Sequence, residues 1–194
     1  KELNGDDILF VLARDKFENQ ITLGAKGVVG TIMTNKGLEI ALNKMGVELI
    51  RSDVGDKFVL QKLEELGWDL GGEQSGHIIC LDASNTGDAI IAAIKFLEAC
   101  LCSEFSLDRI LEPMNKYSQI LSKIETNDPE KILKNKRFLK LTNDISENLK
   151  NYDGRINVRP SGTEPLIRIM VESRSEKQTK QASKELFNLA KKLI

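Results

Sequence analysis

In residues 27–50, GVVGTIMTNKGLEIALNKMGVELI, an apolar run (27–33) gives way to Leu38, Ala41, Leu42 and Met45 at helical spacing, then to a second apolar run, 47–50. A helical pattern flanked by two short apolar runs reads as β–α–β. The alternation continues outward. Residues 57–66 carry Val59, Leu63 and Leu66 on one helical face, followed by short apolar segments at 68–70 and 77–81. Strands alternating with helices predict a layered α/β domain. Residues 86–101 then read as a strong helix: Thr86 can cap it, Asp88 suits its first turn, and Ile90, Ile94, Leu97 and Leu101 share one stripe.

Beyond Glu104 the texture changes, which places a domain boundary between residues 104 and 105. Asn127, Asp128 and Pro129 mark a turn, and the lysine-rich stretch 131–140 reads as a solvated helix face. Residues 155–159 alternate strictly, with Arg155, Asn157 and Arg159 on one side and Ile156 and Val158 on the other. Residues 166–171 do the same, placing Arg168 opposite Ile167, Ile169 and Val171. Two half-buried strands joined by a short loop therefore precede a closing helix from about Glu176, whose stripe is Ala182, Leu186, Leu189 and Leu193. The expected architecture is an α/β domain (1–104) followed by a smaller α+β domain (105–194) with an antiparallel sheet and helices on one face.

Composition narrows the partners. Lys and Arg total 28 against 29 Asp and Glu in 194 residues, a formal charge of −1, so no general field favours nucleic acid or an anionic membrane. Any anion site must be local. No apolar run approaches the roughly 20 residues of a membrane span, and residues 1–7 lack a signal-peptide pattern, so a cytosolic setting fits best. Cys80, Cys100 and Cys102 are an odd count within apolar segments, which fits small buried hydrophobes better than disulfides or a zinc site. The chain starts at Lys1 rather than Met, as a piece of a longer polypeptide would.

Two loops carry candidate chemistry. Gly71-Gly72-Glu73-Gln74-Ser75-Gly76-His77 lies between short apolar segments, so it projects from strand ends. Glu73 offers acceptors for a polyol and Ser75 a small donor, while the glycines permit close backbone approach. His77, the only histidine, is able to donate to a sugar or phosphate oxygen, although a lone His before a strand is often structural. Arg159-Pro160-Ser161-Gly162-Thr163-Glu164-Pro165 sits between the two arginine-bearing strands. Its hydroxyls, its Gly162 backbone and the guanidinium groups of Arg159 and Arg168 suit a phosphate. Composition alone favours an ordinary hairpin, because Gly and Pro fill most turns; the flanking arginines shift the reading toward an anion.

Taken together, the segments Gly72 to His77 and Arg159 to Arg168, in that order, resemble the sugar-binding and phosphate-binding signatures of the α-D-phosphohexomutases. Asn4-Gly5-Asp6-Asp7-Ile8-Leu9, Val54-Gly55-Asp56-Lys57-Phe58-Val59 and Asn85-Thr86-Gly87-Asp88 add to the resemblance, which covers nearly the whole chain. It implies the third and fourth of four domains around one cleft. Glu73, Ser75 and His77 would bind the hexose, and Arg159, Ser161, Gly162, Thr163 and Arg168 the phosphate that is not being transferred. Lys57 stands where arginine is expected and lacks its bidentate fork, which weakens it as a further anion contact. The Gln74 and His77 version of the sugar loop is most similar to the branch that interconverts glucosamine 6-phosphate and glucosamine 1-phosphate, a bacterial step toward cell-wall amino sugars.

The same resemblance implies a phosphoserine, a magnesium ion and a hexose 1,6-bisphosphate intermediate in the whole enzyme. The loops that carry the phosphoserine and bind Mg2+ have no counterpart here, so the chain holds no catalytic or metal-binding residue and is expected to be inactive alone. Its expected partners are the hexosamine phosphate and the N-terminal domains of its own polypeptide, with homodimerisation left open. Family members acting on glucose or mannose phosphate, and a non-catalytic sugar-phosphate-binding module, are the alternatives.

Overall fold

The computed structural model describes residues 2–18, 27–162 and 164–194. The chain forms two compact units, the first ending at Lys116 and the second running Tyr117–Ile194. The expected boundary at 104/105 falls earlier, because Ile110, Leu111 and Met114 belong to the core of the first unit.

In the first unit the order is α1 (Gly5–Glu18), β1 (Gly27–Thr31), α2 (Lys36–Lys44), β2 (Glu48–Ser52), α3 (Asp56–Leu66), β3 (Leu70–Gly72), β4 (Ile78–Cys80), α4 (Ala89–Cys102) and α5 (Leu107–Leu111). The sheet order is β2-β1-β3-β4. β1 runs parallel to β2 and β3, and β4 is antiparallel to β3. Side chains alternate across the sheet, so neighbours on one strand serve opposite layers. Val28, Ile78 and Cys80 join a cluster with α1, α2 and α4, whereas Val29 and Ile79 pack with Val59 and Leu63 of α3. This is the layered α/β arrangement expected.

Helix α1 was not legible from apolar spacing, yet its start carries a local signal. The Asp7 N–H donates to Asn4 Oδ1 at 3.3 Å and the Asn4 N–H to Asp7 Oδ2 at 2.9 Å, a reciprocal cap three residues apart. Helix α4 corrects two readings. Its cap is Asp88, whose Oδ1 accepts from the N–H groups of Ile90 (2.8 Å) and Ile91 (3.1 Å), while Thr86 bonds only within the preceding turn. Its stripe of Ile90, Ile94, Leu97 and Leu101 faces outward, because the small residues Ala92 and Ala99 occupy the side that packs into the core. The cysteine reading also needs amendment. Cys80 is buried, but Cys100 is half-buried and Cys102 exposed.

The second unit contains β5 (Ser118–Glu125), α6 (Pro129–Leu133), α7 (Lys136–Lys150), β6 (Arg155–Pro160), β7 (Leu166–Ser173) and α8 (Glu176–Lys191). Its antiparallel sheet has the order β5-β7-β6. Ile167, Ile169 and Val171 of the central strand point into a core with Phe138, Ile145 and Leu149 of α7 and Ala182, Leu186 and Ala190 of α8. Helices thus cover one face, leaving Arg168 and its neighbours on the other. Arg155 pairs with the buried Glu172 directly across from it.

Candidate functional site

The candidate residues form two loops, one in each unit. In the first unit, Gly72 pairs with Ile78, so Glu73, Gln74, Ser75, Gly76 and His77 make the turn between β3 and β4. The turn closes on itself: the Glu73 N–H donates to the His77 carbonyl and the Gly76 N–H to the Glu73 carbonyl, each at 2.9 Å. Gly76 has a φ of 102°, a backbone state that only glycine adopts without strain.

Each polar side chain of this hairpin has a defined seat. Glu73 Oε1 accepts the Gly55 N–H at 2.9 Å, immediately ahead of α3, where a negative charge is stabilised by the helix dipole. Glu73 Oε2 lies 3.9 Å from His77 Nδ1, and the Ser75 hydroxyl is 3.0 Å from the same nitrogen. Glu73 is mostly buried while Ser75 and His77 are exposed, so the three form a cluster open to solvent on its Ser75 and His77 side. Lys57 sits in the first turn of α3, two residues past Gly55, with its ammonium 4.7 Å from the ring centre of Phe58.

The hairpin is tied to the start of α1 by contacts the residue pattern did not reveal. The Gly5 N–H donates to the Gln74 carbonyl at 3.0 Å. A side chain at Gly5 would place its Cβ 1.9 Å from the Glu73 carbonyl oxygen, so only glycine lets the helix approach this closely. The fully buried Asp6 carboxylate accepts from the Gln74 amide at 3.2 Å and from the Asn35 N–H at 3.1 Å. One carboxylate thereby joins α1, the cap of α2 and the hairpin. The clue available beforehand was two adjacent acids at a helix start, which ordinarily means only dipole stabilisation.

In the second unit, β6 and β7 put Arg159 directly opposite Arg168, and β5 puts Lys123 opposite Arg168 on its other side. Three cations therefore lie in one row across a three-stranded sheet, with adjacent strands about 4.8 Å apart. Like charges directly opposed destabilise a sheet unless a counter-charge is supplied. Glu164 supplies part of it through an ion pair with Arg168.

The connecting turn lies at the end of this row. Its base is held by main-chain bonds from the Ser161 N–H to the Leu166 carbonyl (2.9 Å) and from the Thr126 N–H to the Pro165 carbonyl (2.9 Å). A Cβ at Gly162 would meet nothing within 4 Å, so open space lies beside that backbone. Thr163, assigned to the phosphate, lies outside the described residues. Lys123 was missed, since only the pairing of β5 with β7 brings it to Arg168. Among the described residues no group of three or more His, Cys, Asp or Glu is placed to hold a metal ion.

Comparison with known proteins matches this architecture. Residues 4–117 fit the phosphoglucomutase/phosphomannomutase alpha/beta/alpha domain III and residues 121–189 the phosphoglucomutase/phosphomannomutase C-terminal domain. Phosphoglucosamine mutase of Aeromonas hydrophila subsp. hydrophila is 41% identical over 184 residues, covering 95% of this chain and 41% of that protein. The phosphoglucosamine mutase of Legionella pneumophila (strain Corby) is 39% identical over 184 residues, with 95% and 40% covered. The chain thus spans about two-fifths of the length of these relatives.

Among solved structures, Aspergillus fumigatus N-acetylphosphoglucosamine mutase in complex with GlcNAc-6P and magnesium superposes with a TM-score of 0.79 at 19% identity, covering 100% of this chain and 44% of that one. The same fungal enzyme in complex with glucose 1,6-bisphosphate gives 0.81 at 18% identity, covering 99% and 44%. At these identities the likeness is one of fold. With both units matched in order, the chain belongs to the phosphoglucomutase/phosphomannomutase family, of which it comprises domain III and the C-terminal domain.

Proposed function

We propose that this chain is the substrate-gripping part of a phosphoglucosamine mutase, which interconverts glucosamine 6-phosphate and glucosamine 1-phosphate. The observation that carries the phosphate role is the row Lys123, Arg168 and Arg159 ending at the Ser161-Gly162 turn. Charge-assisted bonds from guanidinium groups, with hydroxyl and backbone donors of the turn including Thr163, hold a phosphate without reading the carbon that bears it. That property is what a mutase needs, because its intermediate must be gripped by either end. Glucosamine phosphate is favoured among hexose phosphates by the relatives, phosphoglucosamine mutases at about 40% identity over both units.

In this reading Glu73, Ser75 and His77 contact the sugar. Glu73 has one oxygen committed to Gly55, so its other oxygen, together with the Ser75 hydroxyl and the His77 ring, forms the recognition edge. Lys57, close in sequence to that edge, adds positive charge. The phosphoryl donor and the magnesium of such a reaction would be held by segments outside this chain, and a hexose 1,6-bisphosphate would pass between the two grips. Magnesium, when bound, would neutralise charge on the donor. The chain's own residues bind and orient; they do not transfer the phosphoryl group. No helix among the described residues is long and apolar enough to cross a membrane.

The test uses the 194-residue chain and the full-length gene product. Titration of the chain with glucosamine 6-phosphate should show binding that sulfate competes away, without turnover. The full-length protein should interconvert glucosamine phosphates with glucose and mannose phosphates much poorer. Absence of any sugar-phosphate binding would overturn the assignment, and a preference for mannose phosphate would move it to the mannose branch of the family.

A further inference from the structure

Between Glu73 and Ser75 of the hairpin stands Gln74, whose polar groups are engaged by the frame of the first unit. Its carbonyl accepts the Gly5 N–H at 3.0 Å, and its side-chain amide donates to Asp6 Oδ2 at 3.2 Å. The same Asp6 oxygen accepts the Asn35 N–H at 3.1 Å, and Asn35 Oδ1 in turn caps α2 by accepting the Gly37 N–H at 2.9 Å. Asp6 is fully buried. The adjoining Asp7 serves a different purpose, pairing with Lys116 at 2.5 Å.

An acid that only complemented the α1 dipole would do so from the surface, where its hydration costs nothing. Burying a carboxylate adds little net stability even when its partners are good, because desolvation offsets them; what directional hydrogen bonds to a buried charge supply is a fixed position. Asp6 delivers that position to the hairpin. Glu73, the next residue back from Gln74, is held from the other direction by the Gly55 N–H on Oε1, at 2.9 Å. The Glu73–Gln74 peptide is thus clamped between the start of α1 and the start of α3, and the free reach of the Glu73 carboxylate is set by both ties.

We propose that Asp6 and Gln74 are positioning residues for sugar recognition: their hydrogen bond aims the Glu73 carboxylate at the hexose, and neither side chain touches the sugar itself. The inference rests on the reading of Glu73 as a sugar contact. It assigns Gln74 a role distinct from its neighbours in the same loop, and it gives a function to a buried acid 68 residues away in sequence. A displacement of about 1 Å in a group that orients substrate can cost up to about a hundredfold in rate, so loss of one of the two ties is expected to cost about tenfold.

A mutant cycle in the full-length gene product tests this, with glucosamine 6-phosphate as substrate and circular dichroism showing each variant folded at the assay temperature. Gln74→Leu and Asp6→Ala should each lower kcat/KM about tenfold. Asp6→Asn, which keeps a carbonyl oxygen for both donors, should recover most of that loss. In a Glu73→Ala background, adding Gln74→Leu should change kcat/KM by about twofold or less, since the group it aims is gone. Gln74→Leu leaves the Asn35 N–H its acceptor, so it carries the test even where Asp6→Ala does not fold. Full activity of Gln74→Leu, with Glu73→Ala impaired, overturns the proposal and leaves the sugar reading standing. An equal tenfold loss with and without Glu73 also overturns it, because the pair would then act on the fold at large. Full activity of Glu73→Ala overturns the sugar reading itself, and this inference with it.

Discussion

The two candidate loops hold their shape by opposite means. The hairpin of the first unit is anchored from outside itself: Asp6, Gly5 and Gly55 reach it from two helix starts, and its own Glu73 completes the tie. The turn of the second unit is closed by main-chain bonds at its base, and the charge beside it resides on the flanking strands. Recognition of hydroxyl groups depends on angle and demands a rigid frame, whereas a phosphate dianion is attracted over a wider range by fixed positive charge. The difference in construction suits the two tasks proposed for the loops, hydroxyl recognition by the first and phosphate binding by the second.

The anchored hairpin should break first. Gly5→Ala forces a methyl group into the Glu73 carbonyl oxygen, and overpacking against backbone is expected to cost about 3 kcal/mol. The sole tryptophan, Trp68, lies in the first unit, so its fluorescence in a urea titration isolates that loss. A change below 1 kcal/mol would show that α1 and the hairpin separate easily. Next, Asp6→Ala strips acceptors from the Gln74 amide and the Asn35 N–H, for an expected loss of about 1–3 kcal/mol by the same readout. Hydrogen exchange should quicken at Asn35 and Gly5, while the amides of β7 remain unaffected.

The second loop should respond in ligand affinity, with its fold intact. Arg159→Ala removes a charge-assisted bond worth about 1.5–3 kcal/mol, so sulfate or phosphate should bind about tenfold more weakly or worse. Lys123→Ala, at an exposed position in the same row, should cost about 1 kcal/mol or less. A Lys123 effect equal to that of Arg159 would move the centre of the site toward β5. No effect from either would leave an ordinary hairpin.

Alkali gives the smallest contrast. Burial, more than the charge of Asp82, pushes the Cys80 thiol of the first unit from 9.0 up to about 11. In the second unit burial pushes the Tyr117 phenol from 10.0 up to about 12, aided by its hydrogen bond to Asp153. Both folded forms retain the proton. Their stability contributions are therefore complete below the ordinary values and lost as pH rises through the folded ones. The first unit should weaken from about pH 9 and the second from about pH 10, with Cys80→Ser and Tyr117→Phe each flattening the slope of its own unit.

What was legible in the residues follows the same physics. Strands β1, β2, β6 and β7 announced themselves by apolar runs and strict alternation, and both candidate loops by polar and glycine residues between strand ends. Strand β5 was not announced, because its side chains are mostly half-exposed and its apolar residues do not alternate cleanly. Lys123 went unseen with it. The α4 stripe was read as the strongest helical face, yet periodicity reports that a helix has an apolar side, not which neighbour covers it. Asp6 escaped for a related reason: a buried carboxylate that bridges residues 29 and 68 positions away has no local signature.

The alignment of Lys123, Arg168 and Arg159 carries a consequence for how such a site survives mutation. Its address is written in strand register, and side chains in a strand alternate faces with a period of two. Changes within residues 161–165 alter the donors at the rim but leave the three cations where they are. Deleting one residue between Leu166 and Arg168 would instead turn Arg168 toward the helices and bring an isoleucine to the outer face. Drift can therefore retune this site by point substitution for a long time, while a single-codon loss in one short segment abolishes it.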